Sequence, residues 1–144
     1  MGSLVTFSVL PSINDPQCLR AFKLTVGTRA PEAARGKVTE ALGKWGLSTL
    51  TEDVALCVSE FVTNSLVNDA TEIHLVIERH TTETIEIAVW DDAPGMPQRR
   101  TPEKTAEDGR GLNIVEALAV SWWTQASGTG GKTVRARFVS DGER

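Results

Sequence analysis

The 144-residue sequence lacks features that several classes of protein require. It has only two cysteines, Cys18 and Cys57, with no metal-type spacing, so both are interpreted as reduced core thiols rather than as part of a disulfide framework or zinc site. No apolar run approaches roughly 18 residues, so no membrane-spanning segment is expected. The first ten residues, MGSLVTFSVL, lack the charged start of a signal peptide. These absences predict a cytoplasmic protein with no membrane partner.

Positive charge is also scarce. Lys and Arg number 15 against 19 Asp and Glu, which gives a formal net charge of −4 at pH 7. Duplex nucleic acid is therefore not an expected partner, because binding its phosphates needs a basic field. The hydrophobic content of 40% is ordinary for a globular protein, and the length predicts one domain over residues 1–144 with a core of its own.

The pattern of apolar residues predicts alternating groups of strands and helices. In chain order it predicts a strand at 19–27, a helix at 30–46, a helix after a Thr49–Glu52 capping box, strands at 71–80 and 83–92, a helix at 112–122, and a closing hairpin at 122–125 and 132–140. Strands that are adjacent in sequence, with helices kept apart from them, favour an α+β two-layer sandwich over a doubly wound parallel sheet.

The stretch SEFVTNSL places Glu60 and Asn64 four residues apart, which puts both on one face of the predicted helix. A carboxylate can accept a proton, and an amide oxygen is a suitable Mg²⁺ ligand. By itself, the pair is more typical of a solvated helix face than of a site.

Two further stretches follow the predicted strands. In AVWDDAPGMP, Asp91 at a strand end can accept a hydrogen bond from an amine, and Gly95 allows close approach of a ligand. In EDGRGLNIVEAL, the segment Gly109-Arg110-Gly111 is expected to precede a helix, where free amides and Arg110 favour phosphate. Each stretch alone is also typical of an ordinary turn or of a loop leading into a helix.

A third glycine-rich stretch, ASGTGGKT at 126–133, imitates a phosphate-binding P-loop. A P-loop needs a helix after it, but the following VRARFVSDGER alternates as a strand does. These glycines are expected to turn a hairpin instead.

Together, SEFVTNS, VWDDAPGMP and GRGLNIV resemble the N box and the two glycine boxes of the GHKL ATP-binding fold. With WGL at 45–47 and GKTV at 131–134, the sequence is most similar to the anti-sigma-factor serine kinases, including short single-domain proteins of actinobacteria. The resemblance covers about residues 30–140. It implies a two-layer α/β sandwich with a mixed, mostly antiparallel sheet and helices on one face.

The resemblance also implies site residues and the cofactors ATP and Mg²⁺. Asn64 would hold Mg²⁺ against the phosphates, Glu60 would be the general base, and Asp91 would accept a hydrogen bond from the adenine amino group. The other implied nucleotide contacts are Gly95, Thr133 on a late strand, and the second glycine box Gly109, Arg110, Gly111 and Leu112, with 96–108 as the ATP lid. Ala93, Asn68 and Asn113 depart from the residues usual at their positions.

Three functions remain open at this point. The first is a serine protein kinase that binds a sigma factor and phosphorylates an anti-sigma-factor antagonist, with a homodimer implied by the resemblance. The second is a non-catalytic module that binds nucleotide, or only a partner. The third is an ATPase of the histidine-kinase type, which is disfavoured because no phosphoacceptor His helix precedes the predicted domain. His74 and His80 lie on or after a predicted strand and are interpreted as solvated strand-edge residues.

Overall fold

The structure is a computed structural model, and it describes residues 18–94, 106–128 and 130–140. Its elements are, in chain order, β1 (Leu19–Leu24), α1 (Ala30–Lys44), a 3₁₀ turn (Ser48–Leu50), α2 (Thr51–Val67), β2 (Ile73–Arg79), β3 (Thr84–Asp91), α3 (Ala106–Leu118), β4 (Ser121–Ala126) and β5 (Lys132–Val139). Among these residues, no helix is both long and apolar enough to cross a membrane.

The five strands form one sheet in the order β1-β2-β3-β5-β4. Every neighbouring pair within the described strands is antiparallel, so the parallel component expected of a mixed sheet is not found there. Strand β3 is central, between β2 and β5, and residues 85, 87, 89 and 91 of β3 point to one face of the sheet. The α+β class predicted from the sequence is confirmed.

The three helices cover one face of the sheet. Helix α2 buries Val54, Val58 and Phe61, and it packs on α1, on α3 and on β3. The buried sheet residues beneath them alternate along each strand, as a one-sided core requires: Ile73, Leu75 and Ile77 in β2, Ile85, Ile87 and Val89 in β3, and Val134, Ala136 and Phe138 in β5.

Two helix boundaries differ from the prediction. Helix α3 begins at Ala106, so Gly109 to Gly111 lie inside it rather than before it, because two glycines weaken a helix without preventing it. It ends at Leu118, and Trp122 belongs to β4. The Thr49–Glu52 capping box is wrong as well, since a 3₁₀ turn precedes α2 and Leu50 occupies its N-cap without a side-chain hydrogen bond.

The predicted closing hairpin is confirmed. Strands β4 and β5 pair from Ser121 with Arg137 to Ala126 with Lys132, and the Ser127 amide donates to the Gly131 carbonyl at 3.0 Å across the turn. Since a strand follows the glycines, the P-loop interpretation of ASGTGGKT is excluded.

Candidate functional site

Asp91, at the end of β3, is the most completely enclosed carboxylate of the described chain, with 1% of its surface exposed. Three donors surround it. The Ser65 hydroxyl lies 2.5 Å from Oδ2, while the Ala93 amide at 3.0 Å and the Lys132 ammonium at 2.6 Å both donate to Oδ1. The contact with Ser65 joins the end of α2 to the end of β3, so the two segments predicted to form the site do meet.

Lys132 was not predicted as a site residue. It lies directly opposite Asp91 in the pairing of β3 with β5, and only 1% of its surface is exposed. Lysine is almost never so buried unless it is paired. No local sequence pattern indicates that Lys132 contacts Asp91, because the contact depends on the register between two strands about 40 residues apart.

Thr133, which was expected to approach the adenine site, is not brought to Asp91. It pairs with Trp90, and both side chains point to the outer face of the sheet because successive residues of a strand alternate between faces. The prediction for Thr133 is therefore corrected, since its neighbour Lys132 occupies the position beside Asp91.

The Asp92 side chain does not face the helices but binds the segment that precedes β2. Its side chain accepts hydrogen bonds from the hydroxyl and amide of Thr71, and from the Glu72 amide at 3.0 Å. The Thr71 hydroxyl contributes most to holding the pKa of Asp92 below its ordinary value. Of the two adjacent aspartates, the one that faces the helices is thus Asp91.

Gly131 brings the hairpin backbone against the same strand end. Its φ is +82°, and a β-carbon added there would lie 2.2 Å from the Asp91 carbonyl oxygen. Only glycine tolerates both the positive φ and the close approach to β3, and this approach positions Lys132 next to Asp91.

Glu60 and Asn64 lie one turn apart on α2 and are both half-buried. Cys57 lies on the same side of the helix. Burial raises the pKa of the Cys57 thiol to about 12, and the negative charges of Asp53 and Glu60 add to the effect. The thiol is therefore protonated and inert.

The remaining predicted contacts are only partly described. Gly95 and most of the expected lid lie outside the described residues. Gly109, Arg110 and Gly111 lie in the first turns of α3. Leu112 is 2% exposed and packs in the hydrophobic core, where it anchors α3 rather than offering a surface to a ligand.

A second charged cluster lies on the outer face of the sheet around Glu86. Its carboxylate accepts hydrogen bonds from Arg135 at 3.0 Å and Arg137 at 3.1 Å, and His80 lies 3.1 Å away. Burial alone would raise the pKa of Glu86, but the hydrogen bonds from Arg137 and Arg135, with the charge of His80, outweigh it and lower the pKa.

Comparison with known proteins fits this arrangement. A family model described as the histidine kinase-like ATPase domain matches residues 27–138. The chain belongs to this family. Proteins of this family are ATP-binding domains, and this chain is therefore assigned to that class. Its antiparallel sheet, covered by helices on one face, is consistent with the GHKL-type fold. No curated protein matches it significantly.

The fold is also similar to a solved structure described as the RsbU and RsbW domains of Rv1364c from Mycobacterium tuberculosis. The TM-score is 0.62 and the sequence identity is 20% over 84% of this chain. The match spans 31% of the other chain, so it extends to the fold and not to the whole of that protein.

Proposed function

We propose that this histidine kinase-like ATPase domain is an ATP-binding regulatory protein that acts as a serine protein kinase. The supporting observation is that α2, with Glu60 and Asn64, is joined at its end to Asp91 through the 2.5 Å contact with Ser65. The helix that contains a candidate base and a candidate metal ligand is therefore in direct contact with the buried carboxylate.

The residues at the α2 end suit a magnesium nucleotide. Asn64 would hold Mg²⁺ through its amide oxygen, the kind of ligand that this hard cation prefers. Mg²⁺ would neutralise charge on the phosphates when bound, as it does in phosphoryl transfer generally. Arg110 with Gly109 and Gly111 would face the phosphates from the lid side.

Glu60 would serve as the general base. It would take the hydroxyl proton of an acceptor serine while that oxygen forms a bond to the γ-phosphorus and the bond to ADP breaks. Phosphorylation would add about −1.5 to −2 charges to the acceptor protein, enough to disrupt an interface docked on it.

The proposed partners are a sigma factor and an anti-sigma-factor antagonist whose serine accepts the phosphate, in a cytoplasmic setting. A homodimer of this chain, folded as one domain over 1–144, is the proposed assembly. The RsbW domain named in the similar structure is consistent with this proposal at the level of the fold.

Transfer of the label from γ-³²P-ATP to recombinant candidate antagonists tests the kinase chemistry, and release of labelled phosphate measures the reaction with water as the acceptor. Glu60→Gln should lower the rate about 100-fold or more while nucleotide binding persists. The matched control is Glu52→Gln, an exposed glutamate on the same helix, which should leave the rate unchanged. Equal rates for wild type and Glu60→Gln would exclude Glu60 as the base.

A second candidate function is a regulator that acts by contact alone. It is favoured by one observation, namely that the Asp91 carboxylate already has an internal cationic partner in Lys132. For such a regulator, Glu60→Gln and Asn64→Ala would leave binding to the partner protein unchanged, whether or not ATP is present.

A further inference from the structure

The buried pair of Asp91 and Lys132 bears directly on how the proposed ATP site recognises its base. A carboxylate offers about four acceptor positions. At Asp91, both positions on Oδ1 are taken by the Lys132 ammonium and the Ala93 amide, and one on Oδ2 is taken by Ser65. The position left is enclosed, since 1% of Asp91 is exposed.

The Lys132 ammonium is held in place by the sheet as well as by charge. Residues 91 and 132 are directly opposed in the β3–β5 pairing. Gly131 lies so close to β3 that an added β-carbon would clash with the Asp91 carbonyl oxygen. Both ions are buried, with side-chain exposures of 1% and 2%. Separating them would leave each charge without its counter-ion in a poorly hydrated site.

An adenine amino group is a neutral donor. Its hydrogen bond to a carboxylate is weaker than that of an ammonium at 2.6 Å, because both partners of the latter are charged. Exchange of Lys132 for an adenine amine at Asp91 is therefore unfavourable.

We propose that Lys132 is a specificity-determining residue which occupies, from inside the protein, the acceptor that would otherwise recognise the amino group of adenine. The inference rests on the proposed nucleotide site. It predicts that the wild-type protein binds a nucleoside triphosphate through its phosphates and Mg²⁺, with no selection for the 6-amino group.

The test compares ATP with purine riboside 5′-triphosphate, which is ATP without the 6-amino group. Calorimetry with Mg²⁺ should give wild-type dissociation constants that agree within about twofold. Lys132→Thr frees Oδ1 and opens space beside it, so this variant should bind ATP about tenfold or more tightly than the analogue. Lys44→Thr makes the same change at an exposed lysine and should behave as wild type.

Lys132→Met serves as a second variant, because it removes the donor while keeping most of the side-chain length. Circular dichroism reports whether each variant is folded. Lys132→Met should show no more preference for ATP than wild type, since its methyl group still fills the space. This result would show that the preference for ATP in Lys132→Thr requires the space opened beside Asp91 and does not arise from loss of the lysine charge alone.

The outcomes separate the inference from the function on which it rests. A wild-type preference for ATP of about tenfold, or no gain of preference in folded Lys132→Thr, would overturn the role of Lys132 and leave the nucleotide site standing. Failure of wild type to bind either nucleotide at millimolar concentration would overturn both. The wild-type comparison needs no variant to fold.

Discussion

Strand β3 has two acidic side chains, five residues apart, and the sheet surrounds them in opposite ways. Asp91 faces the helices and forms one short ion pair with Lys132, and both side chains are almost fully buried. Glu86 faces outward and is shared by Arg135, Arg137 and His80, whose side chains are 33–42% exposed. Both groups link β3 to β5.

The two carboxylates differ in how much stability is lost when one cationic partner is removed. The Glu86 side chain is itself 6% exposed, but its carboxylate is shared by two partly exposed guanidinium groups and the His80 ring. The loss of one of these partners therefore leaves the others in place. Around Asp91, the Lys132 ammonium is the one cation paired with the carboxylate among the described residues, and removing it leaves that carboxylate buried. The inner pair therefore fixes the structure of the candidate site, while the outer cluster adjusts the stability of the sheet.

The largest effect is expected from Lys132→Met. It should lower the free energy of unfolding by about 3–5 kcal/mol, the usual loss when one partner of a buried ion pair is removed. Arg137→Met, its counterpart on the outer face, should cost about 1 kcal/mol or less. Urea unfolding measures both, and equal losses for the two variants would abolish the proposed distinction between inner and outer pairs.

The next effect concerns the backbone that seats the inner pair. Gly131→Ala combines a positive φ with a β-carbon 2.2 Å from the Asp91 carbonyl oxygen, and we expect it to lose about 2–4 kcal/mol. Gly130→Ala is the matched control, because φ is +104° there but nothing lies within 4 Å of the added carbon. Thermal unfolding should show Gly131→Ala to be the less stable. If Gly130→Ala is equally unstable, the close approach of Gly131 to the Asp91 carbonyl oxygen does not contribute to the loss.

The smallest effect is the pH dependence of the outer cluster. The folded-state pKa of Glu86 lies below its ordinary value of 4.5, so its stabilising contribution is complete above that pH and is lost as the pH falls through the folded-state pKa. Glu86→Gln lacks this component. Its deficit against wild type, about 1 kcal/mol or less at pH 6, should therefore shrink towards pH 3.

Unfolding by urea at several pH values measures that change, with Glu83→Gln, an exposed glutamate on the β2–β3 turn, as the control. A deficit that stays constant from pH 6 to pH 3 would show that the Arg135 and Arg137 hydrogen bonds do not favour the charged form of Glu86.

Much of the fold could be predicted from local patterns. Alternation along 73–79 and 84–91 identified β2 and β3, and helical spacing identified α1 and α2, because each depends on neighbours in the sequence. The start of α3 was missed because glycines inside a helix look like a loop. The Thr49–Glu52 capping box failed because the chain enters α2 through a 3₁₀ turn.

The candidate site was harder to predict because it depends on strand register. Thr133 and Lys132 are adjacent in sequence, yet a shift of one residue moves a side chain to the other face of a sheet. The pairing of Asp91 with residue 132 joins two strands separated in sequence by α3 and β4, and nothing local to either strand specifies it. Glu60 and Asn64 could be placed on one face of α2 because a spacing of four has a fixed meaning on a helix, whereas their proposed roles come from the resemblance of SEFVTNS to the N box.

Calorimetry of Asn64→Ala beside wild type tests whether the α2 end binds a magnesium nucleotide. Wild type should bind ATP with Mg²⁺ and bind it more weakly after Mg²⁺ is chelated with EDTA. Asn64→Ala should weaken Mg-ATP binding about tenfold and lose most of the dependence on Mg²⁺. Equal binding by the two proteins, with equal dependence on Mg²⁺, would contradict the assignment of Asn64 and the nucleotide site built on it.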